Sequence, residues 1–268
     1  MRYMHLIRVF IIGSIQGETA YRFNFATNLL NTVLSLAGSI GGLAVVFNKN
    51  ETLNGWGIRE VTALLGVYLL ILGLKDIVIG PGLESLSGLS GELWTGLFDY
   101  TLLKPLPIQF YVSFRKWSIW SVINILIAVV IIAISRFGDF GMQAATAHTS
   151  GSFLLFLFTI LISLVLIYSI LLILASAAFW YLGTPLMLIF DGLIQTGRFP
   201  VGTYPKFFRI MLTWVIPVGF IITLPAQVFL GEANTALVLG GAALAVFMLL
   251  LSSVLFKMSL RKYASASS

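Results

Sequence analysis

Charged residues are scarce in this chain. Of its 268 residues, 10% are Asp, Glu, Lys or Arg and 59% are hydrophobic, and the mean hydropathy is +1.00. Soluble globular domains are about a quarter charged, because their surfaces face water. Residues 140–190 contain no Asp, Glu, Lys or Arg at all. This composition excludes an ordinary soluble domain and predicts an integral membrane protein.

Several kinds of chemical site are also missing. Cysteine is absent, which excludes disulfides, thiolate zinc sites and Cys-ligated clusters. A Walker A loop requires a Gly-Lys dipeptide to cradle phosphates, and the chain has none. His5 and His148 stand alone, without the spacing of metal ligands. The sequence therefore predicts no catalytic pair, no metal site, no cofactor and no ATP hydrolysis by this chain.

Seven apolar segments are long enough to interact with a bilayer core, which a helix of roughly 20 residues crosses. Barrel strands alternate apolar and polar residues, whereas residues 153–173 are apolar on every side. The fold class is therefore predicted to be an all-α integral membrane protein. The net charge of +6 does not indicate nucleic-acid binding, since most Lys and Arg residues flank apolar segments and orient helices. The segments are 26–47, 60–80, 117–135, 152–174, 177–196, 207–230 and 233–256.

Basic residues at both ends of the chain predict that both termini are cytoplasmic. Two cytoplasmic termini require an even number of crossings, so one segment does not cross. Segment 207–230 is interrupted by Pro217 and Pro225 and is predicted to be re-entrant. This leaves six transmembrane helices, with 177–196 as the fifth. The alternative, in which 207–230 crosses and residues 190–206 lie inside, satisfies the positive-inside rule better.

Two further segments have mixed polarity. Residues 1–22 place Leu6, Ile7 and Phe10 on one helical face and predict an interfacial helix, or alternatively the start of a longer first span. No cleavable signal peptide is expected. Residues 83–116 are too apolar for a solvated linker and too long for a bare turn. We predict that this region docks a partner.

Ionisable residues within or beside the spans are costly and often functional. Lys75 and Asp76 interrupt the second segment, where the simplest interpretation is a helix end at the membrane interface. Asp191 lies in the fifth segment and could pair with Arg198. An ion-coupled secondary transporter or channel that uses Asp76 or Asp191 is the alternative function.

Two stretches carry a family resemblance. The first runs from Gly91 to Leu106, as GELWTGLFDYTLLKPL, and the second is FPVGTYP at 199–205, followed by Pro217 and Pro225. Together they resemble the permease subunits of ABC-2 exporters, in which G-x-L-D-x-x-L-x-x-P follows the second span. Tyr21-Arg22 before the first span also fits. Phe98 departs from this pattern, because the family more often has Leu there.

The resemblance implies a role for each region of a single transmembrane domain over residues 1–268. Region 83–116 would contain the cytoplasmic coupling helix, and residues 199–230 would form an external gate. The protein would be a permease of the inner (cytoplasmic) membrane that works with two ATPase subunits and a second permease, identical or homologous. The implied ATPase-coupling residues are Leu97, Phe98, Asp99, Leu102, Lys104 and Pro105. The implied gate residues are Phe199, Pro200, Tyr204, Pro205, Pro217 and Pro225.

Overall fold

Helices account for almost all of the chain in the computed structural model. The structure describes residues 2–20, 22–49, 52–137, 150–232 and 234–263, and in these ranges no β-strand occurs beyond one isolated bridge between Leu53 and Trp56. The helices are α1 (Arg2–Ala20), α2 (Arg22–Lys49), α3 (Ile58–Leu74), α4 (Gly80–Glu84), α5 (Glu92–Thr95), α6 (Phe98–Leu102), α7 (Ile108–Phe114), α8 (Val122–Phe137), α9 (Ser150–Ala177), α10 (Leu186–Ile194), α11 (Lys206–Ile210), α12 (Leu224–Leu230) and α13 (Thr235–Lys262).

Five helical stretches are long and apolar enough to cross a membrane. Their backbone groups are satisfied within each helix, which is why such segments are stable in lipid. This confirms the predicted fold class, an all-α protein with several spanning helices. The stretches are Leu29–Asn48, Ile58–Glu84, Ile119–Phe137, Phe153–Ala177 and Thr235–Lys262.

The bundle has two ends. We call the end that carries α5, α6 and Tyr263 the near end, and the end that carries Asn54, Gly202 and Glu232 the far end. Helix α13 joins the two ends, since it begins after Glu232 and ends just before Tyr263.

The predicted spanning helix at 177–196 is wrong. Helix α9 ends at Ala177, residues 178–185 form turns, and α10 has nine residues, or about 14 Å of helix. Pro185 cannot continue a helix from the preceding turn, because it has no N–H to donate. Beyond α10 the chain continues in 3₁₀ turns, Gln195–Arg198 and Val201–Thr203.

This irregular segment nevertheless runs the length of the bundle. At the near end, a Cβ built on Gly183 would lie 3.0 Å from Trp94 Cε3. At the far end, Asn54 Nδ2 donates to the Gly202 carbonyl at 2.9 Å. Between these points, Asp191 lies 3.4 Å from Lys75. Residues 183–202 therefore extend from one end of the bundle to the other beside α3.

Segment 207–230 is a bent pair of helices. Lys206–Val215 and Gly219–Leu230 meet at 75° across a short break that contains Pro217. The first arm begins just after Gly202, at the far end. At the inner part of the second arm, Ser163 Oγ donates to the Ile221 carbonyl at 2.7 Å. The second arm then leads through Gly231 and Glu232 into α13, so the pair as a whole begins and ends at the far end.

Close helix packing surrounds α3, whereas α2 is peripheral. A Cβ on Gly66 would lie 2.6 Å from Ile132 Cγ1, and one on Gly73 would lie 2.8 Å from Ile125 Cγ1. These two glycines, seven residues apart, allow the backbones of α3 and α8 to approach closely. By contrast, Leu30 and Leu34 on α2 are 58% and 60% exposed. The outer face of α2 is therefore free for lipid or another subunit.

Candidate functional site

Region 83–116 folds as three short helices, α5 to α7, at the near end. Gly96 separates α5 from α6 with a φ of 75°, a left-handed conformation that glycine adopts without strain. Glu92 ties the region together, because its carboxylate lies 2.6 Å from Arg115 Nη2 and 3.1 Å from Lys116 Nζ. Arg115 also donates to Thr101 Oγ1 at 3.2 Å. The region is thus a fixed structure and not a loose loop.

Phe98 fixes this region to the bundle. Its side chain is fully buried, and its ring packs edge-on against Phe179 at 5.3 Å and Tyr263 at 5.2 Å between centroids. Phe179 follows α9, and Tyr263 follows α13. The sequence analysis assigned Phe98 as an apolar anchor for a partner protein; in the structure, its ring contacts two aromatic residues of its own chain. Neither Phe179 nor Tyr263 could be matched to Phe98 from the sequence.

Asp99 contacts the same C-terminal residue. Tyr263 Oη donates to Asp99 Oδ1 at 3.0 Å. Burial, and then this hydrogen bond and the nearby carboxylate charge, raise the pKa of Tyr263 to about 12. The phenol therefore keeps its proton at physiological pH and remains a donor. Together Phe98 and Asp99 join α6 to the end of α13.

The other predicted coupling residues lie on the surface. Leu97 is 52% exposed and Leu102 is 39% exposed, and Lys104 and Pro105 are exposed as well. Two residues that the sequence analysis did not select extend this surface, namely Tyr100 at 67% and Leu103 at 79%. Their spacing of three places them on one face of the α6 turn, a helical signal that was available in the sequence. The near end thus presents a patch of exposed apolar side chains.

The predicted gate residues form two neighbouring groups at the far end. Phe199, Pro200, Tyr204 and Pro205 lie in the loop after α10, where Tyr204 Oη donates to the Thr196 carbonyl at 2.8 Å. Burial raises the pKa of Tyr204. Pro217 and Pro225 are buried in the bent pair. A cavity of about 300 Å³ lies between the loop and the bent pair, lined by Val201, Gly202, Arg209, Thr213, Gly219, Phe220, Thr223, Leu224, Gln227 and Leu237.

Lys75 is surrounded by three carboxylates. Its Nζ lies 2.9 Å from Asp76, 2.9 Å from Glu84 and 3.4 Å from Asp191, and its side chain is 6% exposed. Lys75 and Asp76 begin a π-helical turn, Lys75–Ile79, inside the stretch Ile58–Glu84. The interpretation of this pair as a helix end with a snorkelling lysine is therefore wrong.

Asp191 and Arg198 do not pair as expected. Asp191 lies on α10 and faces Lys75, whereas Arg198 lies on the following 3₁₀ turn. Arg198 Nη2 donates to Ser35 Oγ at 2.8 Å, and its guanidinium lies 5.7 Å from the centre of the Tyr68 ring. The two side chains therefore contact different partners, and no ion pair joins them within the described residues.

A larger cavity, of about 600 Å³, lies among α1, α2, α3 and α8. At one side of it, the Trp117 N–H donates to Ser14 Oγ at 3.0 Å and the Ile119 N–H donates to Glu18 Oε2 at 2.8 Å. Helix α1 thereby caps the start of α8. The cavity is lined by Glu18, Leu29, Asn31, Thr32, Ser35, Tyr68, Leu69, Leu72, Gly73, Asp76, Pro81, Glu84, Ser118, Trp120, Ser121, Ile123 and Asn124.

The helical bundle, with its apolar spans and peripheral short helices, defines a multi-pass membrane protein. Within the described ranges, no group of three or more His, Asp or Glu side chains is placed to hold a metal ion. The sequence of residues 33–267 matches the family model of ABC-2 family transporter proteins. The chain belongs to this family and is a permease component of an ABC transporter. No curated protein and no solved structure matches the chain.

Proposed function

We propose that this permease is the transmembrane subunit of an ATP-driven exporter that docks separate ATPase subunits at its near end. The observation that carries the proposal is the exposed apolar patch of Leu97, Tyr100, Leu102 and Leu103, with Lys104 and Pro105 beside it. Exposed apolar patches rimmed by polar residues are typical of protein interaction sites. The absence of a Walker A loop supports a division of labour in which ATP is hydrolysed on a partner.

The position of the patch suits a force-transmitting contact. Phe98 and Asp99 fasten the same short helix to the ends of α9 and α13. Movement imposed on the patch by an ATPase would therefore reach two spanning helices directly. In this scheme, ATP binding shifts a two-state bundle toward an outward-open form, together with a second permease that is identical or homologous.

The proposed orientation places the near end in the cytoplasm. Lys104 and Lys116 lie in the coupling region, and Lys257, Arg261 and Lys262 lie near the end of α13. Basic residues of this kind favour the cytoplasmic side. Both termini are then cytoplasmic, α1 lies at the inner interface, and the bent pair is a re-entrant element on the external side, beside the gate loop.

We expect Leu103→Glu to weaken association with the ATPase by about 30-fold or more, since truncating or charging an interface anchor costs roughly 2 kcal/mol. Lys104→Ala is the matched control and should change association less than about fivefold, because a surface charge contributes roughly 0–1 kcal/mol. The measurement is co-purification with the ATPase, together with ATP turnover by the complex. Unchanged association in Leu103→Glu would place the docking surface elsewhere.

Cysteine labelling tests the topology, because the native chain has no cysteine. Thr203→Cys and Glu232→Cys flank the bent pair, and both should react with an impermeant reagent from outside. Thr95→Cys, on α5, should react only after the cells are permeabilised. Labelling of positions 203 and 232 from opposite sides would mean that the bent pair crosses the membrane.

An ion-coupled transporter is the second candidate, and the buried Lys75 with its three carboxylates favours it. The two candidates differ in their energy source. Reconstitution of the chain alone in liposomes separates them. The exporter requires the ATPase subunits and ATP, whereas an ion-coupled transporter using Asp76 or Asp191 moves its substrate when an imposed ion gradient drives it. Robust transport without an ATPase would overturn the first proposal.

A further inference from the structure

The larger cavity has the dimensions of a ligand site. Its volume of about 600 Å³ lies within the range of roughly 300–1,000 Å³ that accommodates drug-sized molecules. Its walls combine apolar side chains, such as Leu69 and Leu72 on α3, with polar ones. Such a combination suits a ligand that has an apolar body and a few polar groups.

One side of this cavity is acidic. Glu18, Asp76 and Glu84 line it, and no Lys or Arg is among the described residues that do. Lys75 lies behind Asp76 and Glu84, so one ammonium group faces the carboxylates of Asp76, Glu84 and Asp191. The side chains of Asp76 and Glu84 remain 36% and 35% exposed. A cation in the cavity can therefore reach carboxylates that Lys75 alone does not neutralise.

The opposite side of the cavity offers hydrogen-bond donors. Tyr68 is 2% exposed and lines the cavity. Its hydroxyl accepts from Arg198 Nε at 3.4 Å, and within the described part of the chain no acceptor lies in reach of its own proton. Buried polar groups are nearly always paired. An acceptor on a bound ligand would complete this hydroxyl.

The charge of Arg198 also points to this side. Its guanidinium contacts Ser35 and Tyr68, both of which line the cavity, and no Asp or Glu side chain lies within ion-pair distance of it among the residues that the structure describes. Tyr68 and Asp76 are eight residues apart along the helix, which corresponds to about 12 Å. The two sides of the cavity thus have opposite electrostatic preferences.

We propose that this cavity binds a cationic amphiphile: a molecule with a protonated amine at Asp76 and Glu84, an apolar body against α3 and α8, and a hydrogen-bond acceptor at Tyr68. The claim that this ligand is the transported substrate rests on the proposed transport function. The claim that the cavity binds such a ligand rests only on the residues that line the cavity. The partly exposed carboxylates of Asp76 and Glu84 supply the charge that attracts a cation there.

The test uses the purified chain in nanodiscs of neutral lipid, without any ATPase. The probe is dansylcadaverine, which carries a primary amine at the end of an alkyl chain and sulfonyl oxygens on its dansyl group. Its neutral counterpart, N-pentyl dansylamide, measures partition into lipid. We expect saturable binding of dansylcadaverine, at least about tenfold tighter than that of the neutral compound.

Three cavity variants and one matched control locate the site. Asp76→Asn and Glu84→Gln should each weaken binding about tenfold, and Tyr68→Phe about threefold to tenfold. Asp191→Asn removes a carboxylate from the same lysine but does not alter the cavity lining, so it should change binding less than about threefold. If one cavity variant fails to fold, the remaining two are compared with Asp191→Asn.

Each outcome bears on the proposal separately from the ATPase question. Equal binding of the amine and the neutral compound would overturn it. An equal loss in Asp191→Asn and in the cavity variants would also overturn it, because the loss would then follow the charge balance at Lys75. Selective binding in a chain that fails to associate with an ATPase would leave the site standing and remove the proposed exporter function.

Discussion

Phe98→Ala is expected to lower the free energy of unfolding by about 3–5 kcal/mol, because it removes a fully buried aromatic side chain and leaves a cavity. Its ring contacts Phe179 and Tyr263 would be lost, and these hold α6 against the ends of α9 and α13. The measurement is thermal or denaturant unfolding of the purified protein. Lower expression of the variant should accompany the lower stability.

Phe98→Leu is the control for this prediction. Leucine keeps a branched apolar side chain at this position and leaves a smaller cavity than alanine does, so Phe98→Leu should cost less stability than Phe98→Ala. Leu103→Glu should leave stability almost unchanged, since Leu103 is 79% exposed. A Phe98→Ala protein of normal stability that nevertheless loses the ATPase would restore Phe98 as a residue of the docking surface.

Together, these variants distinguish residues that stabilise the permease from residues that contact the ATPase. Leu103→Glu is expected to separate the subunits without destabilising the permease, whereas Phe98→Ala destabilises the permease itself. Tyr263→Phe removes the hydrogen bond to Asp99 but keeps the ring against Phe98. The loss of stability in Tyr263→Phe should therefore be smaller than that in Phe98→Ala.

Composition and hydropathy were enough to predict the fold class, because a long apolar helix satisfies its backbone hydrogen bonds internally and so suits a lipid environment. Pro217 likewise predicted the break in 207–230, and the structure has a 75° bend there. Segment 177–196 was predicted wrongly because its hydropathy resembles that of a span. The local signal that overrides hydropathy is the run of Gly183, Thr184 and Pro185, which keeps α10 from starting before Leu186.

The candidate sites were less predictable, because each depends on residues far apart in the chain. The proposed docking region was located as a segment, yet its sequence does not reveal which apolar residues face inward. Phe98 is buried because Tyr263, from the other end of the chain, covers it. Similarly, Asp191 pairs with Lys75 because α10 runs beside α3, an arrangement that only the tertiary structure defines.

Lys75→Met is the second change with a large expected effect. It removes the ammonium group that lies within 3.4 Å of three carboxylates and leaves Asp76, Glu84 and Asp191 without a cation. Removing one partner from a buried ion pair typically costs about 3–5 kcal/mol. The three carboxylates here are 35–40% exposed, and screening by water reduces the cost of their mutual repulsion to about 1–3 kcal/mol. We expect a loss of stability of this size, measured by thermal unfolding in detergent or nanodiscs.

Two companion variants show whether charge, and not the shape of the side chain, causes the loss. Lys75→Arg keeps the positive charge and should retain most of the stability. Adding Asp191→Asn to Lys75→Met removes one of the repelling carboxylates and should recover part of the loss, as expected for residues that interact directly. A Lys75→Met protein as stable as the wild type would mean that Lys75 is not needed to neutralise the three carboxylates. The proposal that Asp76 and Glu84 attract a cation into the neighbouring cavity would then lose its electrostatic basis as well.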